Sequence, residues 1–284
     1  MKILISDYSS EHTTEPLYLN TIFNSIGCTS VLCPPNMSMF DTFDITQPNL
    51  FITHFSKISK DVVAYLKECK DIDIIVNVTN LKQDSLNQLE STLYENGIKP
   101  LFFFVNNYDH QLKASKTNIN VVLHGADVLF GNINKMFDID CGIFVDKSEN
   151  LRPIGETYHY LSNYQKMEDI ADIVMPNHKL TQFYPSYNRI IFKYFNNTLP
   201  QAFFDAAYYG RTVYYDIDDR SILDVHLQKL FGESGLCTDQ DTGCVSQRIK
   251  QKHTCLHRAK SLLSQLPCKV YTDKLQAIIE EQLK

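Results

Sequence analysis

Apolar runs of four to six residues alternate with longer amphipathic stretches through the first third of the chain. Residues 2–7 (KILISD) read as a buried strand ending in an acid, followed by a polar loop at 9–15 and a helix that Gly27 stops. Strands follow at 29–33, 48–54, 73–78 and 101–105, with helices at 57–69 and 81–97 between them. This β-α-β alternation predicts a parallel sheet covered by helices on both faces. Residues 108–117 are polar and aperiodic and read as the link to a second unit. There the strand candidates are 120–123, 128–130, 142–145, 156–160, 171–176, 190–195 and 212–216. The helix candidates are 201–209, 219–231, 245–266 and 271–284, with a polar loop over 232–243. The expected division is therefore 1–110 and 111–284, two α/β units with a cleft between their ligand edges.

In parallel sheets ligands bind beyond the carboxyl ends of the strands. On the first unit that edge collects Asp7, Ser9, Ser10, Glu11, His12, Thr53, His54, Thr79, Asn80, Asn106 and Asn107. The first loop, SDYSSEHTTEP, has no GxGxxG and no P-loop spacing, which argues against a nicotinamide oxidoreductase or a P-loop enzyme. The most informative stretch is 189–216, RIIFKYFNNTLPQAFFDAAYYGRTVYYD. It reads as strand, polar turn, helix, glycine stop, strand. Asn196, Asn197 and Thr198 supply turn and cap chemistry, and Pro200 suits a first helical turn. A strand feeding a helix N-terminus through such a turn offers free N–H groups and a positive dipole end to an anion.

Composition narrows the setting. The chain has 284 residues, 44% hydrophobic, with a net charge of −6, so it is no bulk polyanion binder. Lys57, Lys60, Lys67, Lys70 and Lys82 form the one basic set that would offset this near the first cleft. Eight cysteines without CxxC spacing suit free thiols in a reducing cytoplasm. Cys237, Cys244, His253, Cys255 and His257 fit no usual zinc spacing, so no metal is expected. The opening strand leaves no room for a signal peptide, and no apolar run reaches a membrane span.

The segment NNTLPQAFFDAAYYGRTVYYD resembles the strand–loop–helix of GT-B glycosyltransferases of the CgeB-like group, one specific version of the resemblance being a phage DNA-modifying member. RIKQKHTCLHRAKSLLSQL, with His253, Thr254, His257 and Arg258, resembles that group's C-terminal His-Thr…Arg helix. The resemblance covers about a third of the chain at residue level. It implies two Rossmann-like domains facing across a cleft, terminal helices crossing the junction, and sugar transfer from a nucleotide-diphosphate sugar, a UDP-sugar first. No cofactor or metal is implied, and the enzyme would be a monomer or homodimer. Donor contacts would come from Asn177, His178, Arg189, Lys193, Asn196, Asn197, Thr198, Gln201 and Asp205. Asp7, Glu11 and His12 are the candidate catalytic groups, with Ser9, Ser10, His54, Asn80 and Asn107 on the acceptor side. The acceptor could be a hydroxymethylated pyrimidine in DNA, a small molecule, a glycan or a protein. The chain departs from the pattern in having Asp205 for a glutamate and Ala202 for an arginine, which keeps a non-catalytic nucleotide-binding protein as the alternative. Arg189, Lys193 or Arg211 would have to replace the missing guanidinium.

Overall fold

The computed structural model describes residues 1–7, 15–34, 36–69, 71–79, 81–105, 112–122, 125–126, 128, 139–144, 187–193, 201–209, 212–216 and 242–283. The chain is a mixed α/β protein of two compact units, Met1–Leu123 with Cys255–Lys284, and His124–Thr254.

The first unit is built on six parallel strands: β1 (Lys2–Ile5), β2 (Thr29–Leu32), β3 (Leu50–His54), β4 (Asp73–Asn77), β5 (Pro100–Val105) and β6 (Ile119–Val122). Their order is β2-β1-β3-β4-β5-β6. Parallel strands are covered on both faces, so they need continuous rather than alternating apolar runs. β3 meets this requirement fully, with all five residues buried. Ile3, Leu4, Ile5, Phe51, Ile52, Phe102 and Phe103 are fully buried in the middle of the sheet. Helices α1 (Glu15–Ser25), α2 (Met39–Thr46), α3 (Lys60–Glu68) and α4 (Gln83–Glu95) connect the first five strands. The expected elements are present with borders shifted by a few residues. The helix expected from residue 57 begins at 60, because His54 first caps a single 3₁₀ turn at Phe55–Lys57. Helix α2 was not anticipated. The Ser38 side chain accepts from the Asp41 amide and caps it, and Phe43 packs edge-on against Phe51 at 4.8 Å.

The sixth strand joins the first sheet, beside β5, although residues 111 onward were expected in the second unit. Glu90 accounts for its placement. Its buried carboxylate accepts from the Ser115 amide (2.7 Å) and hydroxyl (2.6 Å), the Lys116 amide (2.8 Å) and the Thr117 amide (3.2 Å). The segment that reads as a loose link is thus pinned to α4 immediately before β6.

The chain's last helices also belong to the first unit. A single helix over 245–266 is expected from the pattern, but it is divided into α6 (Thr242–Lys252) and α7 (Cys255–Leu263). The break falls where the His253 carbonyl accepts from the Ala126 amide at 2.7 Å and Thr254 bridges Ala126. Helix α8 (Lys269–Gln282) follows. Its Lys274 ammonium donates to the Ile26 carbonyl at 2.8 Å, beside Gly27, whose φ of +86° ends α1. The Met1 amino group donates to the Tyr271 hydroxyl at 2.8 Å.

The second unit contains three parallel strands in the order β7 (Ile139–Phe144), β8 (Tyr187–Lys193), β9 (Thr212–Asp216). Helix α5 (Gln201–Tyr208) makes the crossover from β8 to β9 and packs on α6. Phe204, Ala207 and Ile249 are buried there, and the Ser246 hydroxyl donates to the Tyr208 carbonyl at 3.3 Å. Strand expectations at 156–160 and 171–176 and the helix expectation at 219–231 lie outside the described residues.

Desolvation on its own raises the pKa of Glu90, and the four donors overcome it, holding the carboxyl below the usual range. A depressed folded-state pKa contributes stability that is present above the unfolded value and is lost as pH falls through the folded one. Glu90→Gln should therefore lower unfolding stability by about 2–4 kcal/mol at neutral pH. The deficit should shrink below about pH 4.3, where the wild-type carboxyl protonates in the unfolded chain. Urea melts of both proteins across pH measure this.

Candidate functional site

In the first sheet the chain winds from β1 outward to β2, then returns across β1 to β3 and continues the other way. Such a reversal leaves a crevice beyond the carboxyl ends of the two strands where it occurs. The residues at those ends are polar and buried. Ser6 Oγ lies 2.8 Å from Thr53 Oγ1, with exposures of only 3% and 0%. Asp7 follows Ser6 and is half-buried. His54 is the last residue of β3 and the register partner of Asn77, the last of β4. Both are buried, and paired residues of parallel strands share a sheet face.

Two short locks orient these side chains. His54 Nδ1 lies 2.8 Å from Ser56 Oγ and accepts from the Ser56 amide at 3.3 Å. Asn77 Oδ1 accepts from the Thr79 amide at 2.9 Å and the Thr79 hydroxyl at 2.5 Å. Two donors on one atom identify it as the oxygen, so the Asn77 NH₂ group is turned the other way, onto Glu15 Oε2 at 3.2 Å. Glu15 is the first residue of α1 and is buried. Its carboxylate sits at the positive end of that helix. An acceptor carboxylate, an oriented amide and an imidazole at one crevice can bind hydroxyls and accept or relay a proton.

Of the residues expected on this side, Asp7 and His54 are brought to the crevice. Ser9, Ser10, Glu11, His12, Asn80, Asn106 and Asn107 lie outside the described residues. Glu15, Ser6 and Asn77 were missed. Glu15 directly before Pro16 reads as an ordinary first-turn acid, and Asn77 as the interior of a strand expected to run on to 78. The basic set divides. Lys57, Lys60 and Lys82 follow the carboxyl ends of β3 and β4, whereas Lys67 is in the last turn of α3, at the opposite edge. Lys70 lies outside the described residues.

On the second unit, Asn177, His178, Asn196, Asn197, Thr198 and Arg211 lie outside the described residues. Lys193 is the carboxyl-terminal residue of β8, and Gln201 opens α5 eight residues later. The N-terminus of α5 therefore lies at the carboxyl edge of this sheet. Arg189 is four residues back along β8, about 13 Å from Lys193. Asp205 is not a solvent-facing helix acid, since it is buried at 1% exposure. Its neighbour Phe204 packs near His253, with ring centroids 6.1 Å apart. His253 and Thr254 thus serve packing and chain pairing, while Arg258, on α7, is buried in the first unit. Lys250 sits over the Tyr208 ring at 5.4 Å, and Tyr208 and Tyr209 meet edge to face.

Cys28, Cys33, Cys69, Cys255 and Cys268 are free thiols. Burial pushes the pKa values of Cys28, Cys69 and Cys268 up, which makes them poor nucleophiles at neutral pH. Among the described residues no group of three His, Cys, Asp or Glu side chains is disposed to hold a metal ion. No helix among them is long and apolar enough to cross a membrane.

No protein-family model matches the chain, and no curated protein matches it. Among solved structures, the crystal structure of a GtfA/B complex is similar with a TM-score of 0.40 and 10% sequence identity. The match covers 81% of this chain and 59% of that one, so this chain spans less than two thirds of its length. A likeness at this level carries no functional argument.

The Glu15–Asn77–Thr79 arrangement predicts two distinct mutant behaviours. Asn77→Ala should cost about 1–3 kcal/mol of stability by removing a partner from a buried carboxylate. Asn77→Asp should cost more at neutral pH, because it sets a second carboxylate beside Glu15. That excess should diminish as the pH is lowered, because one of two adjacent carboxylates then takes up a proton and the repulsion is relieved. Chemical denaturation of both variants at neutral and mildly acidic pH tests this.

Proposed function

We propose that this chain is a glycosyltransferase of the GT-B type, moving a sugar from a nucleotide-diphosphate sugar to an acceptor hydroxyl. The observation that carries the reading is the β8–α5–β9 unit. Its helix N-terminus stands at the carboxyl edge of a parallel sheet, and the sequence just before it, NNTLP, resembles the CgeB-like group. In this reading the amides at the start of α5, with Lys193, Asn196, Asn197 and Thr198, stabilise the leaving diphosphate without a metal. Gln201, Asn177 and His178 complete the donor side. Arg189 is set back along β8 and Ala202 offers no charge, so Lys193 carries most of the cationic duty. Asp205 accepts from the ribose hydroxyls, and because it is already engaged and 1% exposed, the ribose must share or displace its present partner.

The six-stranded unit receives the acceptor at the β1/β3 crevice, where Asp7, with Glu11 and His12 of the following loop, supplies the general base. Ser9, Ser10, His54, Asn80 and Asn107 hold the acceptor. A hydroxymethylated pyrimidine in phage DNA is the most specific acceptor on this reading; a small molecule, glycan or protein hydroxyl is the broader class. The net charge of −6 and the placement of Lys67 on the far edge weigh against a long duplex footprint. The second reading is a nucleotide-binding protein without transfer activity, favoured by Ala202 and by the burial of Asp205.

Thermal-shift screening against UDP-, GDP- and dTDP-sugars should give one stabilising family, worth about 2.7 kcal/mol at a hundredfold excess over Kd. Asn197→Ala and Asp205→Ala should each weaken it, and turnover of the bound donor separates the enzyme from the binding protein. The proposal fails if no nucleotide-sugar stabilises the wild type. Transfer to a hydroxymethylated oligonucleotide, set against free sugars and peptides, identifies the acceptor class.

A further inference from the structure

Asn96–Gly97 is the one Asn-Gly pair in the chain, and it closes helix α4. Such a pair is chemically labile. The amide nitrogen of a glycine has no Cβ beside it to shield it and, once deprotonated, can attack Cγ of the preceding asparagine. The Cγ–Nδ2 bond then breaks, ammonia leaves with the proton, and a five-membered succinimide remains. Water opens that ring at one carbonyl to give aspartate and at the other to give isoaspartate.

The fold opposes each part of this closure. The Gly97 amide donates to the Tyr94 carbonyl at 3.0 Å, which disfavours its deprotonation. The Asn96 side-chain amide, the leaving group, donates to the Thr92 carbonyl at 2.8 Å. Asn96 has a ψ of 9°. With ψ near zero the Gly97 nitrogen eclipses the Asn96 nitrogen, whereas ring closure needs it to eclipse Cβ, about a third of a turn away around the Cα–C bond. That rotation swings every residue after Asn96. It breaks the bond from the Ile98 amide to the Leu93 carbonyl at 2.9 Å. With Gly97 left-handed at a φ of +78°, this bond and the one to Tyr94 form the two-bond motif that commonly ends a helix. It also draws Ile98 out of the core cluster it shares with Leu93, two residues before β5 begins at Pro100.

We propose that Asn96–Gly97 is a guarded self-modification site, intact in the folded chain and converted to aspartate and isoaspartate when the junction between α4 and β5 opens. The conversion does not return to asparagine. Either product sets a carboxylate beside Glu95, at the negative end of α4 and without the amide that bonded Thr92. Isoaspartate also adds one methylene to the main chain between α4 and Ile98. A chain that has opened there therefore refolds with a weaker α4, the helix whose Glu90 anchors residues 115–117. The site is independent of the transferase reading.

The full chain is held in mildly alkaline buffer, with and without unfolding concentrations of urea. It is then digested, and the peptide containing Asn96 is resolved by mass and by enzymatic isoaspartate methylation. Conversion in the native chain should be slower than in urea by about tenfold or more. Equal rates in the two states overturn the proposal. Ile98→Val keeps the reacting pair and loosens its guard, so it should speed the native reaction by roughly two- to tenfold and leave the rate in urea unchanged. Ile3→Val makes the same deletion at a fully buried position of β1 and should have a smaller effect. If the two variants speed the native reaction alike, unfolding of the whole unit is the gate, and the proposal is wrong.

Discussion

Parallel pairing is the constraint on which the rest of the molecule depends. Strands that all run one way must all end on one edge, so every strand-to-helix connection of the first unit is gathered there. The same pairing forces burial on both faces, which is why β1, β3 and β4 are nearly uninterrupted apolar runs. After the exposed Lys2 and Asp73 that open β1 and β4, polar residues are excluded until the last position or two, and those positions then lie side by side. Ser6 with Thr53, and His54 with Asn77, are consequences of register before they are features of a site.

Buried polar groups at such an edge must satisfy one another, and the solution used here is local. His54 is held by Ser56 and Asn77 by Thr79, each lock formed with the chain two residues on. Longer contacts join distant segments: Ser6 to Thr53 crosses 47 residues, and Asn77 to Glu15 crosses 62 and brings the start of α1 to the end of β4. Chemistry at this edge is therefore set by directional partners, with donor and acceptor ends assigned by backbone groups that cannot reverse their role.

Much of the fold was legible because its signals are local. Apolar runs, the glycine after α1 and the turn before α5 each identify an element from a short window. What was not legible depended on distant partners. Glu90 looks like any acid on a helix until its four donors arrive from residues 115–117. The break between α6 and α7 has no proline or glycine to announce it and arises from pairing with Ala126. For the site, strand-end position pointed to Asp7 and His54. It could not distinguish Glu15 from a solvated first-turn acid, or show that Asp205 is turned inward.

The attachment of α8 to the start of the chain has a consequence for how the chain is made. Its hydrogen bonds to Met1 and Ile26 span 270 and 248 residues, with a whole second unit lying between them in sequence. On the ribosome the six strands emerge long before α7 and α8, and the apolar surface those helices cover stays open meanwhile. The second unit is continuous and needs no residue beyond 254 to close. The first unit begins first and is completed last, and until then it exposes apolar surface to chaperones and to other nascent chains.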